Sequence, residues 1–238
     1  MPAKPDRKTQ CSDDLKRRIL ELEIAPGTPL DEVALSVAYD LSRTPLREVL
    51  QRLSGEGYVT IAANRGATVS SMDLNVMRSF FQTAPLIYSA VARLAADNAV
   101  SHQIIGLKKV QSRFRKAVRQ NATTDMSMLN HSFHAVIGTM ADNPYLLPSL
   151  NRLLIDHTRM SHRFYRPRQE AGKQRVNLAC EQHEAMISAI EDRDAERSAE
   201  LALQHWELSR SEIEKYVQPD PLPIDSQLEE LEKTSHAF

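Results

Sequence analysis

The stretch DLSRTPLREVLQRLSGEGYVTIAANRGATV, residues 40–69, decides how the N-terminal third of this chain folds. Ser42 is placed to cap a helix, and Pro45 falls in the first turn, where its missing N–H has no intrahelical partner anyway. Glu48, Val49, Leu50 and Leu53 carry that helix on to Gly55 or Gly57. The runs YVTI and GATV then alternate as short strands, with Arg65 and Gly66 suited to a tight turn between them. A helix is followed by a hairpin.

Upstream, residues 13–23 (DDLKRRILELE) place Leu15, Ile19 and Leu22 at helical spacing behind an acidic first turn, and APGTPL stops that helix. Asp31 is the N-cap of a second, short helix in which Val33, Ala34 and Val37 form one apolar stripe, ending near Asp40. Three helices and a small β-hairpin make a winged helix-turn-helix over residues 8–71.

That order gives the arginines of the third helix a task. Arg43, Thr44 and Arg47 stand in its first turns, from which one arginine can form a bidentate pair with guanine O6 and N7 in the major groove. Thr44 and the amide end of the helix can meet phosphate, and Arg65 at the hairpin tip can reach an adjacent minor groove or phosphate. An arginine pair four residues apart is usually only a solvated face. Its place in the third helix of this unit turns it toward double-stranded DNA.

The rest of the chain is helical in pattern. Its 238 residues hold only 5% aromatics and 7 glycines, a balance that favours helices over sandwiches or barrels. Helices are expected over about 73–98, 102–120, 124–140, 145–164, 172–192 and 194–217, with Pro85 inside the first. They form an all-α bundle over 72–217, followed by a Pro-rich acidic tail at 218–238. The overall class is mainly α.

Net charge is −1, so any DNA-facing basic patch must be local. Cys11 and Cys180 stand far apart and form neither a CxxC pair nor a disulfide framework. The charged N-terminus lacks the apolar core of a signal peptide, and no segment approaches the ~20 apolar residues of a membrane span. A cytoplasmic protein with no membrane partner is expected.

Within the helical half, Asn130 and His134 are four residues apart and share one helical face. His183 and His205 lie on two later helices, so three histidines and an oxygen donor can converge on a divalent metal in a bundle core. With 8 histidines in the chain, a core or surface role is the commoner outcome for any one of them. Two other readings stay open beside a metal-assisted sensor: a metal-dependent hydrolase with an accessory domain, and a degenerate sensor that binds its ligand without metal. No HExxH, nucleophile elbow or phosphate loop supports the hydrolase.

The segments ILELEIAPGTPLDEVALS, LSRTPLREVLQRLSGEGYVTI and NRGATV resemble the GntR family of bacterial transcriptional regulators. The resemblance implies operator contacts through Arg43, Thr44, Arg47 and Gly66, with Arg65 a reasonable addition; many relatives carry a basic residue where Val33 stands. The pattern Asn-x-x-x-His, Asn-Pro-Tyr-Leu, His-Glu-x-x-x-x-Ala-Ile-x-x-x-Asp and a last His looks like the FCD effector domain of FadR-type members. It implies a homodimer, a small-molecule effector such as an organic acid, and Zn or Ni held by His134, His183 and His205, with Asn130 where an Asp is usual. Losing that negative charge weakens metal affinity. His131, His157 and His162 lie off the pattern and are expected to be ordinary polar residues. Relatives often place an Arg and a Glu where Ala84 and Tyr88 stand, so the usual carboxylate clamp is missing; Tyr88, Arg159 and Arg163 are the candidate effector-pocket residues, the two arginines being surface cations otherwise.

Overall fold

The computed structural model describes residues 6–63, 65–166 and 170–214, and among them the chain forms nine α-helices and one two-stranded sheet. The acidic tail expected at 218–238 lies outside the described residues.

The N-terminal unit comprises α1 (Arg7–Leu20), α2 (Glu32–Tyr39), α3 (Arg43–Glu56), β1 (Val59–Ala62) and β2 (Gly66–Val69). α1 starts nearly two turns earlier than the sequence suggests, because Cys11 extends the buried Leu15 and Ile19 stripe by one turn. The Asp6 carboxylate caps it by accepting from the Thr9 amide at 2.9 Å. Asp13 and Asp14 therefore sit in mid-helix rather than in a first acidic turn, and Asp14 accepts from Arg17 and Tyr39.

α2 departs from its expected stripe. Asp31 does cap it, but Val33, Ala34 and Val37 are exposed and Leu35 is the residue buried. The inward face is set by Leu35 and Tyr39, one turn apart, which pack onto the cluster of Leu15, Ile19 and Leu50. In α3, Ser42 occupies the N-cap position with an extended backbone yet makes no side-chain cap bond. Leu46, Val49, Leu50 and Leu53 form its buried stripe, which leaves Arg43, Thr44 and Arg47 on the solvent side. Gly57 ends the helix at φ +91°, a conformation only glycine takes without strain, and a Cβ there would collide with the Arg152 side chain of a later helix.

The strands pair antiparallel from Val59↔Val69 to Ala62↔Gly66, and Gly66 turns the chain at φ +69°. The loop ahead of α2 adds a bridge, Pro29↔Thr68, with Leu30 donating to the Ala67 carbonyl at 2.8 Å. The wing is thereby tied back to the helices.

The rest is a helical bundle: α4 (Leu74–Asn98), α5 (Ser101–Gln120), α6 (Thr123–Met140), α7 (Leu146–Phe164), α8 (Glu170–Glu191) and α9 (Ala195–Glu214). α4 runs uninterrupted through Pro85. Phe80, Tyr88, Phe133, Leu154, Ile190 and Trp206 sit in one core cluster fed by α4, α6, α7, α8 and α9. No helix among the described residues is long and apolar enough to cross a membrane.

Candidate metal centre and DNA-contacting face

The bundle core holds a polar centre. His134 on α6, His183 on α8 and His205 on α9 are all buried, and their donor atoms lie within 4.8 Å of one another. Asn130, one turn before His134, is buried beside them.

The protonation of two of these rings follows from their partners. The Gln111 amide nitrogen donates to the Cys180 carbonyl at 3.1 Å and to the Glu184 carboxylate at 2.8 Å. Its oxygen must then face the His183 Nδ1, 3.0 Å away, and accept that ring's N–H. His205 repeats the arrangement, with Nδ1 donating to Gln182 at 3.0 Å. Each ring therefore turns a bare Nε2 lone pair inward, and the two Nε2 atoms face each other at 3.2 Å. Two acceptors so close repel unless a cation or proton lies between them.

Burial disfavours the proton. Loss of hydration, with neighbouring imidazoles adding to it, holds His134 and His183 well below the ordinary histidine range, and loss of hydration lowers His205 to about 4. His134 Nε2 and Asn130 Oδ1 are also buried without a hydrogen-bond partner. An unpaired buried polar group costs ~1–3 kcal/mol, so two in one pocket beside two facing lone pairs ask for a common partner. A divalent cation would satisfy the three imidazoles, whose donor atoms lie together, and Asn130, on the same helical face as His134, is placed to add an oxygen. The residues present fit a metal held by His134, His183, His205 and Asn130, in which Gln111 and Gln182 fix the tautomers from outside, as the partners of metal-binding imidazoles commonly do.

That role makes Gln111 testable. Gln111→Leu removes the acceptor for His183 Nδ1 without touching a donor atom, and isothermal titration should show affinity for Zn2+ falling ~10–100-fold. Unchanged affinity would release Gln111 from the site.

Tyr88 and His157, absent from the metal pattern, border the same centre. The Tyr88 hydroxyl pairs with His157 Nδ1 at 2.6 Å, its ring centroid lies 5.4 Å from that of His134, and it stacks with Trp206. Burial pushes the Tyr88 phenol up and His157 down to about 3, so both are neutral. His157, expected to be an ordinary polar residue, is buried and paired with Tyr88, with its ring centroid 6.2 Å from that of His134. The signals for it and for Gln111 are polar residues on apolar stripes: Leu150, Leu154, His157, Met160 on α7, and Leu107, Gln111, Phe114 on α5. His131 and His162 have partners elsewhere, Thr158 Oγ1 and the Leu20 carbonyl, each at 2.8 Å.

Arg159 is neither a surface cation nor joined to this pocket by any hydrogen bond. It is fully buried, donates to the Ser70 carbonyl at 2.8 Å and pairs with Asp156. Ala84 is buried in the core, and the Arg163 side chain lies outside the described residues. Asp156 is the only buried carboxylate among the described residues, and Arg152 and Arg159 already neutralise it. Among the described residues, no buried carboxylate belongs to the histidine centre.

On the N-terminal unit Arg43, Thr44, Arg47 and Arg65 are all exposed. Arg47 pairs with Glu32 at 3.2 Å, whereas Arg43 and Arg65 make no ion pair among the described residues. A Cβ added to Gly66 at the wing would come within van der Waals reach of the same Glu32. α3 and the wing tip thus both border α2.

Two family models cover this architecture: "Bacterial regulatory proteins, gntR family" matches residues 7–69 and "FCD domain" matches residues 81–208. The chain is 29% identical over 201 residues to the transcriptional repressor RspR of Escherichia coli, covering 83% of this chain and 85% of that one. It is 28% identical over 211 residues to the repressor NanR of Cronobacter sakazakii, covering 81% and 79%. The fold matches that of McbR/YncC of E. coli with a TM-score of 0.74 at 17% identity, over 90% of this chain and 100% of the other. The chain accordingly belongs to the GntR family, in the branch that joins a winged helix-turn-helix to an FCD domain, and is a transcriptional regulator.

Proposed function

We propose that this regulator is a homodimeric repressor whose residues 8–71 read operator DNA and whose residues 72–217 dimerise and sense an anionic metabolite at a metal held by His134, His183, His205 and Asn130. The observation that carries the reading is the cluster of unpaired acceptors in a pocket without a carboxylate of its own. A bound Zn or Ni ion supplies positive charge and a Lewis-acidic position for an oxygen ligand. Three neutral imidazoles and a neutral amide leave that charge uncompensated, which favours an effector that brings a carboxylate. Tyr88 and His157 border the space and can hydrogen-bond its polar end. Both of these relatives are named transcriptional repressors, which supports the repressor reading. Two-fold symmetry implies two half-sites, and an apolar groove on α4 and α9, lined by Leu86, Ala90, Leu94 and Leu203, suits a second copy. Its DNA target puts the protein in the cytoplasm.

The reading is tested with untagged protein: elemental analysis for bound metal, then thermal shift against small mono- and dicarboxylates with and without Zn2+. A carboxylate whose stabilisation requires the ion supports it. Stabilisation indifferent to metal would assign the effector to other residues.

For the DNA face, Arg47→Ala should weaken specific binding by ~1–3 kcal/mol if Arg47 leaves Glu32 for a guanine. Arg65→Ala should weaken binding to all sequences and flatten the salt dependence. Fluorescence anisotropy on an operator selected from random duplexes reads both; specific affinity unchanged by Arg47→Ala would remove Arg47 from the readout.

A further inference from the structure

α7 has no solvent face over its middle. Every residue from 153 to 162 is buried, so the helix has partners all round. The residues divide by helical angle. Leu150, Leu154, His157 and Met160 follow the i, i+4, i+7, i+10 rule and face the bundle core, where His157 meets Tyr88. Arg152, Ile155, Arg159 and His162 recur at i, i+3, i+7 and i+10 on the opposite side and meet the N-terminal unit.

Those contacts are specific. Ile155 belongs to the cluster of Leu15, Ile19 and Leu50. The Arg152 side chain lies where a Cβ on Gly57 would be. His162 Nε2 donates to the carbonyl of Leu20, the last residue of α1, where helical carbonyls lack partners of their own. Arg159 donates to the carbonyl of Ser70, immediately after the wing, and is itself held by Asp156. One helix thus grips the end of α1 and the exit of the wing. A buried ion pair contributes little net stability, but it fixes geometry.

We propose that Arg159 and His162 are positioning residues that set the placement of the DNA-binding unit through α7, and that a ligand beside His157 is felt by that unit as a displacement of this helix. The first half stands on the contacts alone; the second rests on the effector reading of the histidine pocket. A ligand can shift DNA affinity only if it favours one placement over another, and α7, in contact with both regions, is the element through which such a preference would pass.

Hydrogen exchange read by mass spectrometry on the full chain tests this. The paired substitution Asp156→Asn with Arg159→Met removes both charges, so neither is left buried alone. In metal-free protein, exchange at residues 19–24 and 66–72 should quicken at least ~10-fold, the size that loss of such a buried contact produces, while α5 and α6 keep wild-type rates. Unchanged exchange at both segments would overturn the proposal. If the paired variant unfolds, His162→Phe decides, since it should quicken residues 19–24 alone, and wild-type exchange there overturns the proposal. Adding Zn2+ to wild type should slow exchange in α6, α8 and α9 and also at the two joint segments, with the second effect lost in the paired variant. Protection of the joint that survives the substitution would overturn the transmission through α7. Zn2+ without effect on α6, α8 and α9 would instead sink the metal reading, and the metal-free comparison would still judge the positioning role.

Discussion

Replacing His134 and His183 together by alanine should abolish metal uptake. The pair removes one donor on α6 and one on α8, leaving His205 and a neutral amide, too few ligands for a stable site. The effect is large because an ion that binds only the folded state stabilises it by mass action, ~2.7 kcal/mol at a hundredfold excess over Kd. For a chain of this size that is roughly 5–10 °C in Tm. Wild-type protein titrated with Zn2+ should show such a rise, and the double variant none. Asn130→Asp is the opposite control. A carboxylate buried among neutral imidazoles destabilises the metal-free protein, yet it supplies the missing negative charge next to the ion. The gap in Tm between metal-free and metal-loaded forms should therefore widen. Full metal occupancy in the double variant would locate the ion elsewhere, and an Asn130→Asp gap equal to wild type would mean that residue 130 does not reach it.

Acid should unfold the metal-free protein well before ordinary carboxylate titration. Four buried histidines, His134, His157, His183 and His205, are held neutral by burial, with His205 at about 4 and His157 at about 3. In the unfolded chain each titrates near 6.5. Below that pH the unfolded state binds more protons than the folded one, so stability is fully present above about 6.5 and falls as pH drops toward 4. At pH 5, His157 and His205 each withdraw ~2 kcal/mol, and His134 and His183 add in the same direction. Against a typical total of 5–15 kcal/mol, that brings the transition within reach of pH 5. Thermal melts by circular dichroism from pH 8 to 4 read the slope. A bound ion keeps its imidazoles unprotonated, so Zn2+ should move the acid edge to lower pH. Constant stability from pH 7 to 4.5 without metal would mean that the pocket admits enough water to charge its histidines at no cost.

Much of the molecule was legible in local pattern. Helical periodicity gave α4 to α9 to within a few residues, because a helix that buries one stripe writes its period into neighbouring positions. The i, i+4 spacing of Asn130 and His134 placed two donors on one face without any tertiary knowledge. The hairpin was equally local, since Gly66 marks its own positive-φ turn. Where the pattern failed, the reason lay in what the element meets. Val33 and Val37 have the spacing of a core stripe, but α2 is eight residues long and touches its neighbours along the Leu35 and Tyr39 edge, leaving the valines in solvent.

α7 shows the limit more sharply. Its sequence is strongly amphipathic, but the polar side that reads as solvent-facing is buried as well, so the pattern does not distinguish a buried charged residue from a surface one. Arg159 reads from sequence as a pocket or surface cation, and His157 as an ordinary polar residue; packing sends Arg159 to Ser70 and His157 to Tyr88. The amide of Gln111 orients a ring 72 positions away in sequence. By itself the sequence determined the family, the order of elements and the residue types that can ligate a metal, because these are properties of composition, spacing and motif. Which lone pairs face each other, which groups stay unpaired and which helix joins the two sites were decided by the tertiary structure, because burial and hydrogen-bond partners come from segments far apart in the chain.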